Sequence, residues 1–137
     1  MIDLHDIIQF AMTYPEKTKA FIIDDRGLDH SVSPFMVTYY IAEGANTIKI
    51  EGIENITQDL YPDALNVHCF ISRAGAPSFP EHTDDCDVRI SCIEGIKTME
   101  IEGVEYIIRP GNDLSIPKGT PHRATNRFDS VMLSIGY

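Results

Sequence analysis

His82 and Asp84 stand two residues apart in the stretch Pro80-Glu81-His82-Thr83-Asp84-Asp85-Cys86-Asp87. In extended chain, residues i and i+2 point to the same face. An imidazole and a carboxylate therefore aim the same way and can take two positions around one divalent ion. A third ligand must come from a distant strand. His122, which follows a turn and opens a strand-like run, is the candidate. Two neutral imidazoles and one carboxylate form a facial triad, a donor set suited to Fe(II) that leaves about three coordination positions open. Each residue also has a plainer explanation. A His-x-Asp pair is a frequent chance match, His122 alone is as readily a structural histidine, and Asp84, Asp85 and Asp87 form an acidic solvated loop. The joint occurrence of all three, in this order, favours the metal.

The segment that carries His122 is more specific. It runs Gly111-Asn112-Asp113-Leu114-Ser115-Ile116-Pro117-Lys118-Gly119-Thr120-Pro121-His122-Arg123-Ala124-Thr125-Asn126. Gly111 opens one turn, Pro117-Lys118-Gly119 makes the next, and the following strand carries His122. Gly111, Pro117, Gly119, His122 and Asn126 together resemble the second motif of the cupin superfamily. The resemblance implies a β-barrel with His122 as a metal ligand. The first cupin motif usually holds His-x-His followed by a Glu. Here Asp84 stands at the second His, and Val88 and Arg89 stand where the Glu belongs.

His-x-Asp with a distal His resembles the JmjC-like cupins, which are Fe(II)- and 2-oxoglutarate-dependent oxygenases. In several of these a Gly ends the strand after His-x-Asp, and a Lys follows two residues later; Gly95 and Lys97 match that spacing. The resemblance covers residues 66–136. It implies His82, Asp84 and His122 as both iron ligands and catalytic centre, with Lys97 binding the far carboxylate of 2-oxoglutarate. From the residues alone, Lys97 is equally an exposed strand lysine. Some relatives place a Thr three residues before the first His; Phe79 is there, with Ser78 adjacent as a cosubstrate contact. Asn126 is either a partner behind the ligands or a cap on the strand end. Fe(II), or another divalent metal, and 2-oxoglutarate are the expected cofactors. The rival readings are a cupin used for binding or assembly without redox chemistry, and a metal-dependent cupin enzyme that does not use 2-oxoglutarate.

The remaining candidates rank lower. Cys86 lies among the acidic residues and is expected to pack or face solvent. His5, His30 and His68 are not expected to be ligands, and Tyr39, Tyr40 and Tyr106 are expected to be core.

Several elements must position these groups. Asp3 can cap a helix in which Leu4, Ile7, Ile8 and Ala11 recur at helical spacing, with Pro15 ending it. Ala20–Ile23 reads as a strand, Ser31–Pro34 as loop, and Phe35–Ile41, rich in aromatic and β-branched residues, as a strand. Ala45–Ile50 continues as strand, and a second helix is expected over Ile56–Leu65. From Asn66 onward, short strand-like runs alternate with turns: Val67–Ser72, Asp87–Ile93, Lys97–Ile101, Glu105–Ile108, Asp113–Ile116, His122–Asn126 and Val131–Ile135. That rhythm marks a sandwich or barrel. The expectation is one mainly β domain over 1–137: a cupin, or double-stranded β-helix, barrel. Residues 66–137 form its core, and residues 1–65 add a helix and extra strands.

The whole chain is consistent with this. Its 137 residues suit one domain, and 43 % apolar with 23 % charged residues is an ordinary globular balance. Three cysteines without C-x-x-C argue against a disulfide framework or a Cys-based zinc site. A net charge of −10 disfavours nucleic acid as a partner. No run is long and apolar enough to span a bilayer, and the acidic start lacks the features of a signal peptide. A cytoplasmic protein acting on a small molecule or a protein side chain is expected, and the resemblance adds a possible homodimer.

Overall fold

The computed structural model describes residues 2–137. Helix α1 (Leu4–Thr13) begins at a reciprocal cap, in which the Asp3 carboxylate accepts from the Asp6 N–H and the Asp6 carboxylate from the Asp3 N–H, each at 2.9 Å. Its buried face is Ile7, Phe10 and Ala11. The strands β1 (Lys19–Ile23) and β2 (Asp29–Val32) follow as a hairpin. β2 is a strand where sequence suggested a loop from Ser31.

The expected strand over Phe35–Ile41 is instead helical: a 3-10 turn over Pro34–Met36 runs into α2 (Val37–Glu43). Local signals outweigh β propensity here. The Ser33 hydroxyl accepts from the Phe35 N–H, Pro34 sits in the first turn, and Gly44 closes the helix in a left-handed conformation at φ 72°. After β3 (Thr47–Glu51), the helix expected over Ile56–Leu65 shrinks to a single turn, α3 (Glu54–Thr57), with the chain turning before and after Pro62.

The other strands lie close to the expected places: β4 (Asn66–Ser72), β5 (Val88–Gly95), β6 (Lys97–Ile101), β7 (Val104–Ile108), β8 (Asp113–Ile116), β9 (His122–Ala124) and β10 (Ser130–Gly136). β9 stops at Ala124 rather than Asn126, because Asn126 adopts a left-handed φ of 48° that no ladder accommodates. The strands form two antiparallel sheets. The larger runs β2-β1-β3-β4-β10-β5-β8 and the smaller β7-β6-β9. β3 pairs with β4, so residues 1–65 extend the larger sheet itself.

Alternation along the larger sheet makes two cores. Ile48 and Ile50, Val67, Cys69 and Ile71, and Val131, Leu133 and Ile135 point to one face, where they pack with Ile7, Val37 and Ile53 of the N-terminal segments. The other face meets the smaller sheet through Val88, Ile90, Met132, Met99, Ile108 and Ile116. Burying each such side chain contributes roughly 1.5–3 kcal/mol.

The register sorts the inner face into layers. At one end lie His68, Ser134 and Ile90 across from His122 and Ile101. Next come Phe70 and Met132 across from Met99 and Ala124. Ser72, Ser130 and Gly95 follow at the far end.

Candidate metal centre

His82 does not lie in a regular strand. The segment between β4 and β5 is irregular, but His82 forms an isolated antiparallel bridge with His122 at the head of β9. The His82 N–H donates to the His122 carbonyl and the His122 N–H to the His82 carbonyl, both at 3.0 Å. Asp84 is tied to the turn before β9, since its carbonyl accepts the Gly119 N–H at 3.0 Å. Residues some 40 apart in sequence are thereby fixed by backbone alone.

One donor atom each from His82, Asp84 and His122 lies within 4.8 Å of the others. Asp84 Oδ2 is 3.1 Å from His122 Nε2, and Asp84 Oδ1 is 3.9 Å from His82 Nε2. Bonds of about 2.1 Å at right angles put neighbouring donors about 3 Å apart, so the triad sits at, or slightly wider than, the spacing one ion requires. The tautomers fit as well. His82 Nδ1 is 2.8 Å from the Pro80 carbonyl, and His122 Nδ1 is 2.8 Å from the Thr120 carbonyl. A carbonyl only accepts, so each Nδ1 carries a proton and each ring turns its Nε2 toward Asp84. Two Nε2 atoms and a carboxylate converging on one point are a donor set for a cation, which would take the place of any proton on Nε2. His122 is buried, while His82 and Asp84 are partly open.

The triad borders a cavity of about 350 Å³ between the sheets. Ser78, Phe79 and Pro80 line one side, Lys49 and His68 another, and Phe70, Met99 and Met132 lie deeper. Lys49 bridges Glu51 at 2.9 Å and Asp29 at 3.2 Å, with its ammonium over the Phe79 ring at 5.2 Å. Burial pushes the His68 imidazole below its ordinary pKa. Grooves of about 530 and 610 Å³ lie elsewhere, against α1 and beside Pro110, but hold no metal-ligand cluster among the described residues.

Lys97 and Asn126 are brought together below this cavity, and neither lines it. Lys97 is 0 % exposed, so it is not a surface strand lysine. Its ammonium donates to Asn126 Oδ1 at 2.9 Å. Asn126 Nδ2 donates to the Ala76 carbonyl at 2.9 Å and to Thr47 Oγ1 at 3.3 Å, and Thr47 meets Ser72 at 2.8 Å. The left-handed turn at Asn126 aims its amide inward, so it is a buried hub and not a strand cap. Among the described residues, Lys97 has no carboxylate partner. Burial lowers its pKa to about 8.

Other expectations resolve simply. His5 and His30 lie apart from the triad, and Cys86 is half-buried outside it. Tyr39 and Tyr106 are exposed, not core. Lys49, Phe70, Met99, Met132 and Ser134 escaped the sequence reading. The signal for Met99 was present, since it stands two residues from Lys97 on the same strand face.

No protein-family model matches the chain, and no curated protein matches it. Among solved structures, YcfD of Escherichia coli, a ribosomal oxygenase in complex with cobalt and succinic acid, overlays 98 % of this chain and 43 % of its own at a TM-score of 0.74 and 17 % identity. This chain has the cupin fold. The same enzyme in complex with cobalt and 2-oxoglutarate gives the same overlay, with a TM-score of 0.74, 17 % identity and 98 % and 43 % of the two chains. A cupin superfamily protein of Desulfitobacterium hafniense overlays 54 % of this chain and 67 % of its own at 19 % identity and a TM-score of 0.49. The chain spans less than half the length of YcfD. No helix among the described residues is long and apolar enough to cross a membrane.

Proposed function

We propose that this cupin is an Fe(II)- and 2-oxoglutarate-dependent oxygenase. The observation that carries the reading is the triad itself: two Nδ1-protonated imidazoles and one carboxylate converging at the mouth of an inter-sheet cavity. The fold shared with YcfD, whose structures hold cobalt with 2-oxoglutarate or succinic acid, supports it. Fe(II) with 2-oxoglutarate supplies O₂ activation for C–H hydroxylation, with succinate and CO₂ as by-products.

The chain's own residues do the rest. Pro80 and Thr120 carbonyls hold the two imidazoles in the ligating tautomer. Phe70, Met99 and Met132 keep the floor of the cavity dry. Lys97 is a buried ammonium without a carboxylate, which suits an anion entering from above; its two uncommitted N–H bonds are the natural donors. Ser78 lines the cavity beside Phe79 as a further polar contact. The substrate is a small molecule or a protein side chain of a size that a 350 Å³ cavity admits.

A second reading has one observation in its favour. Lys97 already has Asn126 as a partner and does not line the cavity, as a metal-dependent enzyme that makes no use of 2-oxoglutarate would allow. Anaerobic reconstitution with Fe(II), followed by spectrophotometric titration with 2-oxoglutarate, separates the two. The proposal expects a weak charge-transfer band that His82→Ala and Asp84→Ala abolish. Bound Fe(II) with no such band overturns the 2-oxoglutarate role in favour of the second reading.

A further inference from the structure

The inner face of the larger sheet ends, below the cavity floor, in a layer of polar side chains. Thr47 of β3, Ser72 of β4 and Ser130 of β10 stand in neighbouring strands there, and Lys97 at the head of β6 and Asn126 beyond β9 face them. The contacts run round as a ring. Lys97 Nζ donates to Asn126 Oδ1 at 2.9 Å, Asn126 Nδ2 donates to Thr47 Oγ1 at 3.3 Å, and Thr47 Oγ1 lies 2.8 Å from Ser72 Oγ. Ser72 is paired directly with Ser130, and Ser130 with Gly95, two residues before Lys97. Directly paired residues hold their Cβ atoms about 5 Å apart, so the ring returns to Lys97 within side-chain reach. All five side chains are buried. Ser130, like Lys97 and Asn126, does not line the metal cavity, which Phe70, Met99 and Met132 floor from above.

Buried polar groups are nearly always hydrogen-bonded, and this ring is short of acceptors. The Ser130 hydroxyl has no partner among the described residues. Two Lys97 N–H bonds and one O–H of the Thr47–Ser72 pair are likewise left over. The ammonium has no carboxylate beside it among the described residues. The nearby thiols of Cys69 and Cys92 supply no counter-charge, because burial raises both and keeps them protonated at neutral pH. A water molecule accepts two hydrogen bonds but brings no charge, so it leaves the buried cation uncompensated. A small anion accepts several donors at once and neutralises the lysine. We propose that this ring binds one small inorganic anion of the halide class, with Lys97 and Ser130 as its principal donors. The site needs neither metal nor 2-oxoglutarate. A bulky anion is excluded unless Phe70, Met99 and Met132 move. Where 2-oxoglutarate binds as proposed above, its far carboxylate takes the ion's place at Lys97.

Thermal melting of the full chain, free of metal and 2-oxoglutarate, tests this. Sodium gluconate is exchanged stepwise for sodium chloride at fixed ionic strength, gluconate being too large for the ring. The native chain is expected to gain about 3 °C or more, saturating with chloride as binding at one site requires. Lys97→Met should lose the response. Ser130→Ala removes one hydroxyl and leaves the lysine, and it should need about tenfold more chloride for the same rise. Far-ultraviolet circular dichroism checks that each variant is folded, and Ser130→Ala decides the matter where Lys97→Met does not fold. A native melting temperature no higher in chloride than in gluconate overturns the proposal. An undiminished chloride response in Ser130→Ala overturns the ring as the site. A larger rise with sodium acetate than with chloride overturns the halide in favour of a carboxylate. None of these outcomes depends on the charge-transfer band that tests the oxygenase reading.

Discussion

Lys97 Nζ donates to Asn126 Oδ1 at 2.9 Å, and both residues lie out of solvent beneath the cavity floor. One neutral amide oxygen is a poor match for a buried positive charge. Desolvation therefore dominates, and the lysine pKa falls to about 8 from 10.5. Between those values the unfolded chain binds more protons than the folded one, so stability rises with pH across that window. The relief amounts to about 3 kcal/mol. Cys69, whose thiol burial pushes up to about 12, and Cys92, also raised by burial, act in the opposite direction once the unfolded thiols ionise. Urea denaturation from pH 7 to 10.5 should therefore show the native chain gaining on Lys97→Met as pH rises, and a flat difference excludes a depressed Lys97 pKa.

An anion bound at Lys97 favours the charged ammonium. Binding of 2-oxoglutarate to the Fe(II)-loaded protein at pH 8–9 should take up protons, and affinity should fall as pH rises through about 8. Calorimetry in two buffers of different ionisation enthalpy measures the uptake. Lys97→Met should abolish it.

Asn126→Ala removes the Lys97 acceptor and the donor to the Ala76 carbonyl and Thr47, and should cost about 2–4 kcal/mol by denaturant titration. Asn126→Asp leaves a carboxylate against the ammonium. It should fold well yet bind 2-oxoglutarate more than about tenfold more weakly, because the lysine is already neutralised. Equal 2-oxoglutarate affinity in native and Asn126→Asp protein argues that Lys97 does not reach the cosubstrate.

Removing one ligand at a time should separate metal from fold. His82→Ala and Asp84→Ala, both partly open at the mouth, are expected to keep their melting temperature within a few degrees without metal. Each should lose more than about a hundredfold in metal affinity, beyond the 10–100-fold typical of residues behind the ligands. Metal content after dialysis against limiting Fe(II) reads this directly.

Gly95→Ala tests the join that delivers Lys97. Gly95 has φ 71°, and a Cβ there meets the Asp129 carbonyl oxygen at 2.0 Å. A loss of about 3 kcal/mol or more is expected. Gly103→Ala has a similar φ of 80° but open space around it, and should lose only about 1 kcal/mol. Chemical denaturation of the two variants side by side distinguishes steric clash from backbone strain.

What was legible in the sequence was whatever depends on neighbours along the chain. The reciprocal cap at Asp3, the turns at Glu102-Gly103 and Pro117-Lys118-Gly119, and the strand rhythm after Asn66 are local signals, and the structure follows them. His82 with Asp84 was readable as an i, i+2 pair and His122 from the patterned turn before it, while their meeting across some 40 residues was legible only through the resemblance. Phe35–Ile41 went astray because β propensity is a packing preference, and Ser33, Pro34 and Gly44 frame that segment as helix. The burial of Lys97, the hub at Asn126 and the place of Lys49 in the cavity wall depend on register between β3, β4, β6 and β10. No short window of sequence contains that register.

The rung between His82 and His122 is a single two-residue bridge in an otherwise irregular segment. Its opening is a local event that amide exchange can time. Without metal, the loop from Gly75 to Asp87 can lift off β9 in a local opening, and the amide hydrogens of His82 and His122 exchange at the rate of that opening. With an ion across both imidazoles, each opening must first break coordination, so the same two amides slow together while β10 amides in the middle of the larger sheet do not.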